Sequence, residues 1–137
     1  MAIDVGSKRL GIAKSDETRM IATPKLIINR QSNLKDFAKI KELINEFQAK
    51  ALVIGYPINM DGSLIKMSEF AENFAKNLDE FLSDLNLAIF LFEERLTSFE
   101  ARNFGYNKIS RNHKTKHIDD IAASLILQHF LDDFCQS

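Results

Sequence analysis

Apolar and polar positions along this chain switch between two periods. Near the N-terminus the period is two. Ile3 and Val5 alternate with Asp4, and Leu10, Ile12 and Ala13 make a second short run after the polar stretch Gly6-Ser7-Lys8-Arg9, which predicts a β-hairpin. Gly6 stands where a tight reversal calls for a positive φ. Ile21 to Ile28 reads as a third strand, and Pro24 within it points to a sheet edge, because proline cannot donate to a second neighbour. Behind Asn33 as a cap, Leu34, Phe37, Ile40, Ile44 and Phe47 recur at helical spacing, so a helix to about Phe47 should cover one face of the sheet. Ala51-Leu52-Val53-Ile54, closed by Gly55-Tyr56-Pro57, has the unbroken apolar pattern of a central strand covered on both faces. From Met67 to about Asp84 an apolar stripe includes Phe70, Phe74 and Phe81, which assigns these rings to the core rather than to base stacking. Leu87 to Phe92 reads as another buried strand, ending abruptly in Glu93-Glu94-Arg95. Thr97-Ser98-Phe99-Glu100 has capping-box spacing, with Glu100 as the cap partner of a helix that starts there. The last segment, about Ile118 to Phe134, is apolar around most of its circumference and should lie buried against the sheet. This alternation of strands and helices is that of an α/β chain.

Composition narrows the picture further. The chain has 137 residues, 45% hydrophobic and 27% charged, which fits one soluble domain spanning 1–137. No apolar run is long enough to cross a bilayer, no signal peptide is evident, and the single cysteine, Cys135, cannot form an internal disulfide, so the expected compartment is the cytoplasm. A formal charge of −1 and a pI of about 6.3 give no global field favouring nucleic acid, so any such binding must come from local patches.

Candidate chemistry collects at the ends of elements. Asp4 lies in an apolar run on the face opposite Ile3 and Val5, and a buried carboxylate calls for a compensating cation, most simply a metal; the alternative is an Asp that caps the hairpin turn. The stretch Gly55 to Ser63 follows a buried strand and precedes a helix, where backbone N–H groups can receive a phosphate; the alternative is an ordinary connection. Between Asn103 and His117 the chain turns basic, with Lys108, Arg111, Lys114 and Lys116, as a phosphate-contacting loop or a solvated one. Asp119 and Asp120 open the last helix, where the helix dipole alone favours acids. Acidic groups thus recur at three element ends: Asp4, Glu93 or Glu94, and Asp119 or Asp120. Three converging carboxylates would bind a hard divalent cation. Neighbours on a helix point about 100° apart, so only one aspartate of the last pair can aim at such an ion, and Asp119 shares the face of Ala122, Ala123 and Ile126.

Four blocks carry a family resemblance: Ile3-Asp4-Val5-Gly6-Ser7-Lys8-Arg9-Leu10-Gly11, Gly55-Tyr56-Pro57-Ile58-Asn59-Met60-Asp61-Gly62, Glu93-Glu94-Arg95-Leu96-Thr97-Ser98 and Ile118-Asp119-Asp120-Ile121-Ala122-Ala123. In order and spacing they resemble the YqgF family, also called RuvX, of Holliday-junction-resolvase-like nucleases. The resemblance implies a ribonuclease-H-like fold, a five-stranded mixed sheet whose first three strands form an antiparallel meander, with helices on both faces. It also implies a catalytic and metal-binding trio of Asp4, Glu94 and Asp119, with Glu93 and Asp120 as neighbours able to replace two of them. This chain departs from the family in having Glu93 where an Asp is usual. The implied reaction is phosphodiester hydrolysis assisted by Mg²⁺ or Mn²⁺. Phosphates would be contacted by Lys8, Arg9, Asn59, Arg95, Arg111, Lys114 and Lys116, with recognition by shape. The implied partner is nucleic acid, either the 5′ end of pre-16S rRNA or branched DNA, acted on by a monomer or weak dimer with no membrane association. A competing reading is a non-catalytic RNA- or ribosome-associated protein on the same fold. Actin-like ATPases and sugar kinases also open with an Asp-x-Gly hairpin, but they need two such domains, which 137 residues cannot supply.

Overall fold

In the computed structural model, residues 1–57, 64–94 and 118–134 are described; the side chains of residues 57, 64–68, 94 and 118–120 lie outside that description. Strands β1 (Ala2–Val5) and β2 (Arg9–Ser15) form the expected hairpin, with Ile3 opposite Ile12 and Val5 opposite Leu10. β3 (Ala22–Asn29) runs antiparallel to β2 and completes the meander. The register shifts between Ile12, which faces Leu26, and Ala13, which faces Pro24, so Lys25 bulges beside the proline on an outer strand. β4 (Ala51–Pro57) lies parallel to β1, and β5 (Ala88–Glu94) lies parallel to β4, giving the order β3-β2-β1-β4-β5.

One face of this sheet is covered by α1 (Asn33–Phe47) and α2 (Leu64–Phe81). Ile3, Val5, Leu10, Ile12, Leu52 and Ile54 point into that layer, where Phe37 of α1 meets Phe74 of α2 edge-on at 5.4 Å. The α2 phenylalanines are therefore core, as their spacing predicts; the helix begins earlier than Met67 and ends at Phe81. Ser32, not Asn33, caps α1: its Oγ accepts the Lys35 N–H at 3.2 Å. Leu34 is exposed, because the buried stripe runs through Asp36, Phe37, Ile40, Leu43 and Ile44, and at 100° per residue Leu34 falls about 120° from its centre.

Helix α3 (Ile118–Phe134) covers the other face, where Ala123, Ile126, Leu127 and Leu131 pack on Ala2, Ala13 and Val53. Small residues on this side let the helix come close to the strands. Leu87 to Phe92 does not form a strand buried on both faces. β5 is the outer strand, so Phe90 and Leu91 are 44% and 42% exposed, while Phe92 and Phe90 pack against Phe130 of α3. The helix expected from Thr97 lies outside the described residues. Among the described residues no helix is long and apolar enough to cross a membrane.

Candidate active site at the C-terminal ends of the parallel strands

Asp4 is the buried acid around which this end of the sheet is arranged. Alternation along β1 puts Ala2 in the α3 layer and Ile3 in the opposite one, so Asp4 shares the α3 face. It is 6% exposed. Its cross-strand partners are both glycines, Gly11 on β2 and Gly55 on β4, so neither adjacent strand projects a side chain beside the carboxylate. The space over Gly55 belongs to α3: a Cβ there would stand 2.8 Å from Ile126 Cδ1 and 3.1 Å from Cγ1, and closer still to Cγ2. A glycine is required at 55 for close approach of the helix, which holds α3 down over the strand next to Asp4.

The hairpin turn beyond Asp4 closes through the Gly6 N–H, which donates to the Arg9 carbonyl at 3.1 Å. Gly6 does not take the positive φ that its place in the turn suggests; a Cβ there would come 2.7 Å from the Arg9 oxygen, so crowding explains the glycine. Lys8 and Arg9 are exposed.

Behind the turn lies an arrangement that sequence patterns give no sign of. Asp36, 2% exposed, accepts from Arg30 Nε at 3.3 Å and from the Gln31 N–H at 3.2 Å. Arg30 Nη2 donates to Asn33 Oδ1 at 2.8 Å, and Nη1 makes a longer contact with the Gly6 carbonyl at 3.4 Å. The guanidinium sits over the rings of Phe70 and Phe74, at 5.5 and 5.3 Å from their centroids. An acid three residues into an amphipathic helix reads as a surface residue until the arginine that neutralises it is located.

A family model described as RuvX, Holliday junction resolvase, matches residues 1–133. The chain belongs to the RuvX family. A relative from Thermoanaerobacter pseudethanolicus is 41% identical over 134 residues, covering 96% of this chain and 94% of the relative. One from Roseiflexus sp. is 38% identical over 133 residues, covering 96% and 92%. Both carry the name "Putative pre-16S rRNA nuclease". Among solved structures, Thermus thermophilus RuvC in complex with a Holliday junction substrate aligns with a TM-score of 0.60 at 10% identity, covering 98% of this chain and 93% of RuvC. Fowlpox virus resolvase with Holliday junction DNA aligns with a TM-score of 0.54 at 13% identity, covering 96% and 95%. These likenesses establish the ribonuclease-H-like fold.

In this RuvX-family chain the strand register separates the two glutamates of β5. Gly55 faces Phe92, Tyr56 faces Glu93 and Pro57 faces Glu94. Phe92 packs in the α3 layer, so Glu93, one residue on, belongs to the opposite face, where it is exposed. Glu94 ends β5, and Asp119 and Asp120 stand in the first turn of α3; the side chains of all three lie outside the described residues. Asn59, Arg95, Arg111, Lys114 and Lys116 lie wholly outside them. Among the described residues no three His, Cys, Asp or Glu side chains form a group able to hold a metal.

Proposed function

We propose that this RuvX-family chain is a metal-dependent nuclease, a single domain spanning 1–137 that hydrolyses phosphodiester bonds in structured nucleic acid, with the 5′ region of pre-16S rRNA as its substrate. The observation that carries the proposal is Asp4: a buried acid on the central strand, flanked by glycines on both sides, at the end of the sheet where β5 terminates in a glutamate. The names of the relatives support the RNA substrate, and the junction-bound neighbours are consistent with a branched one.

Carboxylate oxygens are the hard donors that Mg²⁺ or Mn²⁺ prefers, so the donor chemistry fits a divalent cation. Strand alternation returns position 94 to the face of Phe92, which is the face of Asp4, and this favours Glu94 over Glu93 as the second ligand. Asp119 precedes Ile126 by two helical turns, and Ile126 fills the slot over Gly55 next to Asp4, which favours Asp119 over Asp120 as the third. When bound, the metal would acidify a water and stabilise the leaving oxygen. The protein's part is positional. The sheet fixes Asp4, the crowding of Ile126 onto Gly55 fixes the height of α3, and Lys8 and Arg9 stand exposed beside the turn to hold a flanking phosphate. Arg95, Arg111, Lys114, Lys116 and Asn59 are assigned to further phosphate contacts. The single cysteine is in keeping with work in the cytoplasm.

The test is to incubate purified protein with a ribosomal RNA precursor, a Holliday junction and a plain duplex, each with Mg²⁺, Mn²⁺ or chelator. Metal-dependent cutting of the precursor ahead of the other two is the expected result. Binding of the precursor without cutting under any metal would instead favour a non-catalytic ribosome-associated role.

A further inference from the structure

We propose that Arg30 is a positioning residue for the hairpin turn that follows Asp4 and leads through Lys8 to Arg9, acting from behind the sheet and without touching substrate. The proposal rests on the reading of Asp4 as a metal ligand. Arg30 follows the last residue of β3 and continues alongside the turn: Arg9 faces Asn29, and one step on the Arg30 N–H donates to the Lys8 carbonyl at 2.9 Å. Its side chain, 15% exposed, is committed at every nitrogen. Nε bonds Asp36 of α1, Nη2 bonds Asn33 at the start of α1, and Nη1 reaches the Gly6 carbonyl, two residues past Asp4. The flat face of the guanidinium rests on Phe70 and Phe74 of α2. One side chain therefore ties the turn to both helices of the layer opposite α3.

The chemistry needs an arginine. The planar fork serves three acceptors in fixed directions while its face stacks on aromatic rings, whereas lysine offers one nitrogen at the end of a flexible stem. A lysine at 30 can neutralise Asp36, which is buried and must not be left alone, but it cannot also reach Gly6. Charge balance and turn positioning are therefore separable by experiment. Asp4 lies on the α3 face and Arg30 is packed against α1 and α2, so Arg30 acts on the site only through the backbone of residues 6 to 8.

The experiment compares Arg30→Lys, Asn33→Ala and Asp4→Asn with the parent protein, reading kcat, KM for the nucleic acid, the Mg²⁺ or Mn²⁺ concentration for half-maximal activity, thermal midpoint, and amide hydrogen exchange. In Arg30→Lys the Gly6 amide, bonded to Arg9, should exchange about 5-fold faster, the consequence of losing one hydrogen bond. Core amides of Ile54 and Ile12 should be unchanged. The half-maximal metal concentration should rise by about 10-fold, the size of effect seen on loss of an outer-shell partner, and KM for the nucleic acid should rise with it, because Lys8 and Arg9 stand on the same turn. Asn33→Ala, which removes only the acceptor on the exposed side, should alter none of these. Faster exchange throughout the core of Arg30→Lys would make Arg30 a general stabiliser and overturn the proposal, as would unaltered exchange at Gly6. If Asp4→Asn keeps full activity, the ligand reading fails by itself, whatever Arg30→Lys does.

Discussion

Replacing Gly55 with alanine adds one methyl group at the tightest approach between α3 and the sheet. Its carbon would stand 2.8 Å from Ile126 Cδ1 and 3.1 Å from Cγ1, with Cγ2 nearer still, so all three outer carbons of the isoleucine are in the way. An ordinary carbon contact is about 3.5–4.0 Å, so either Ile126 leaves its rotamer or α3 lifts by about 1 Å. Ile126 is fully buried among Val53, Ala123 and Leu127, which leaves it little room to turn. Overpacking of this kind costs about 1–3 kcal/mol. The small gain from replacing a strand glycine does not offset it. For a chain of this length the loss corresponds to a fall in Tm of roughly 4–12 °C. With Asp119 proposed as the third ligand, lifting α3 should also disturb the site, so cleavage should fall further than the fraction of folded protein does. The assay is thermal unfolding and metal-dependent cleavage of Gly55→Ala, Ile126→Ala and the double variant. Ile126→Ala alone should cost about 2–5 kcal/mol through the cavity it leaves. The double variant should be more stable than the sum of the two losses predicts, by about 1 kcal/mol or more of coupling. Strict additivity, or a Gly55→Ala protein with unchanged Tm and activity, would refute the idea that this contact sets the height of the helix.

Neutralising each acid of the two pairs should separate ligand from neighbour. Asp119→Asn and Glu94→Gln are expected to abolish cleavage and any metal-induced rise in Tm, while Asp120→Asn and Glu93→Gln keep most of both; equal losses within a pair would show that the register is wrong. Replacing Lys114 and Lys116 with Ala should weaken nucleic-acid binding and reduce the slope of log affinity against log salt by about 0.7–0.9 for each phosphate no longer neutralised, and an unchanged slope would make that stretch a solvated surface. The Asp16 carboxyl is held below its usual range by the Thr18 hydroxyl and by the backbone N–H groups of Ile21 and Met20. Because the folded value lies below the unfolded one, its contribution to stability is present above about pH 4 and is lost as pH falls through the folded value. Acid titration of Asp16→Asn beside the parent should show a stability gap near neutrality that closes on acidification; a gap independent of pH would contradict it.

The fold is largely legible in the sequence because period decides faces. Alternation around Asp4, the edge proline Pro24 and the unbroken run Leu52-Val53-Ile54 each lead to the strand position observed. Legibility fails where identity depends on a distant partner. Leu87 to Phe92 is as apolar as a central strand, yet it is an outer one, and nothing local distinguishes a strand with neighbours along both edges from one that pairs with β4 alone and leaves Phe90 and Leu91 partly exposed. Gly6 does sit in a turn, but crowding against Arg9 rather than a positive φ excludes a side chain there. Asp36 and Arg30 lie six residues apart with no motif joining them, and only the packing of β3, α1 and α2 makes them a buried ion pair. The choice between Glu93 and Glu94 is open in the residues themselves because parity in β5 is fixed by its pairing with β4.

The central claim is that Asp4 holds a metal used to cut nucleic acid, and it is tested most directly by Asp4→Asn. This change removes the ligand charge with almost no change in shape at a position buried between Gly11 and Gly55. Cleavage of a ribosomal RNA precursor should be measured in saturating Mg²⁺ and Mn²⁺ for parent and variant, with amide exchange to verify that the sheet is intact. Loss of cleavage by more than about 100-fold, beyond the 10–100-fold typical of losing an outer-shell partner, in a variant that still folds and still binds the precursor is the predicted result. Parent-like cleavage by folded Asp4→Asn would contradict the account.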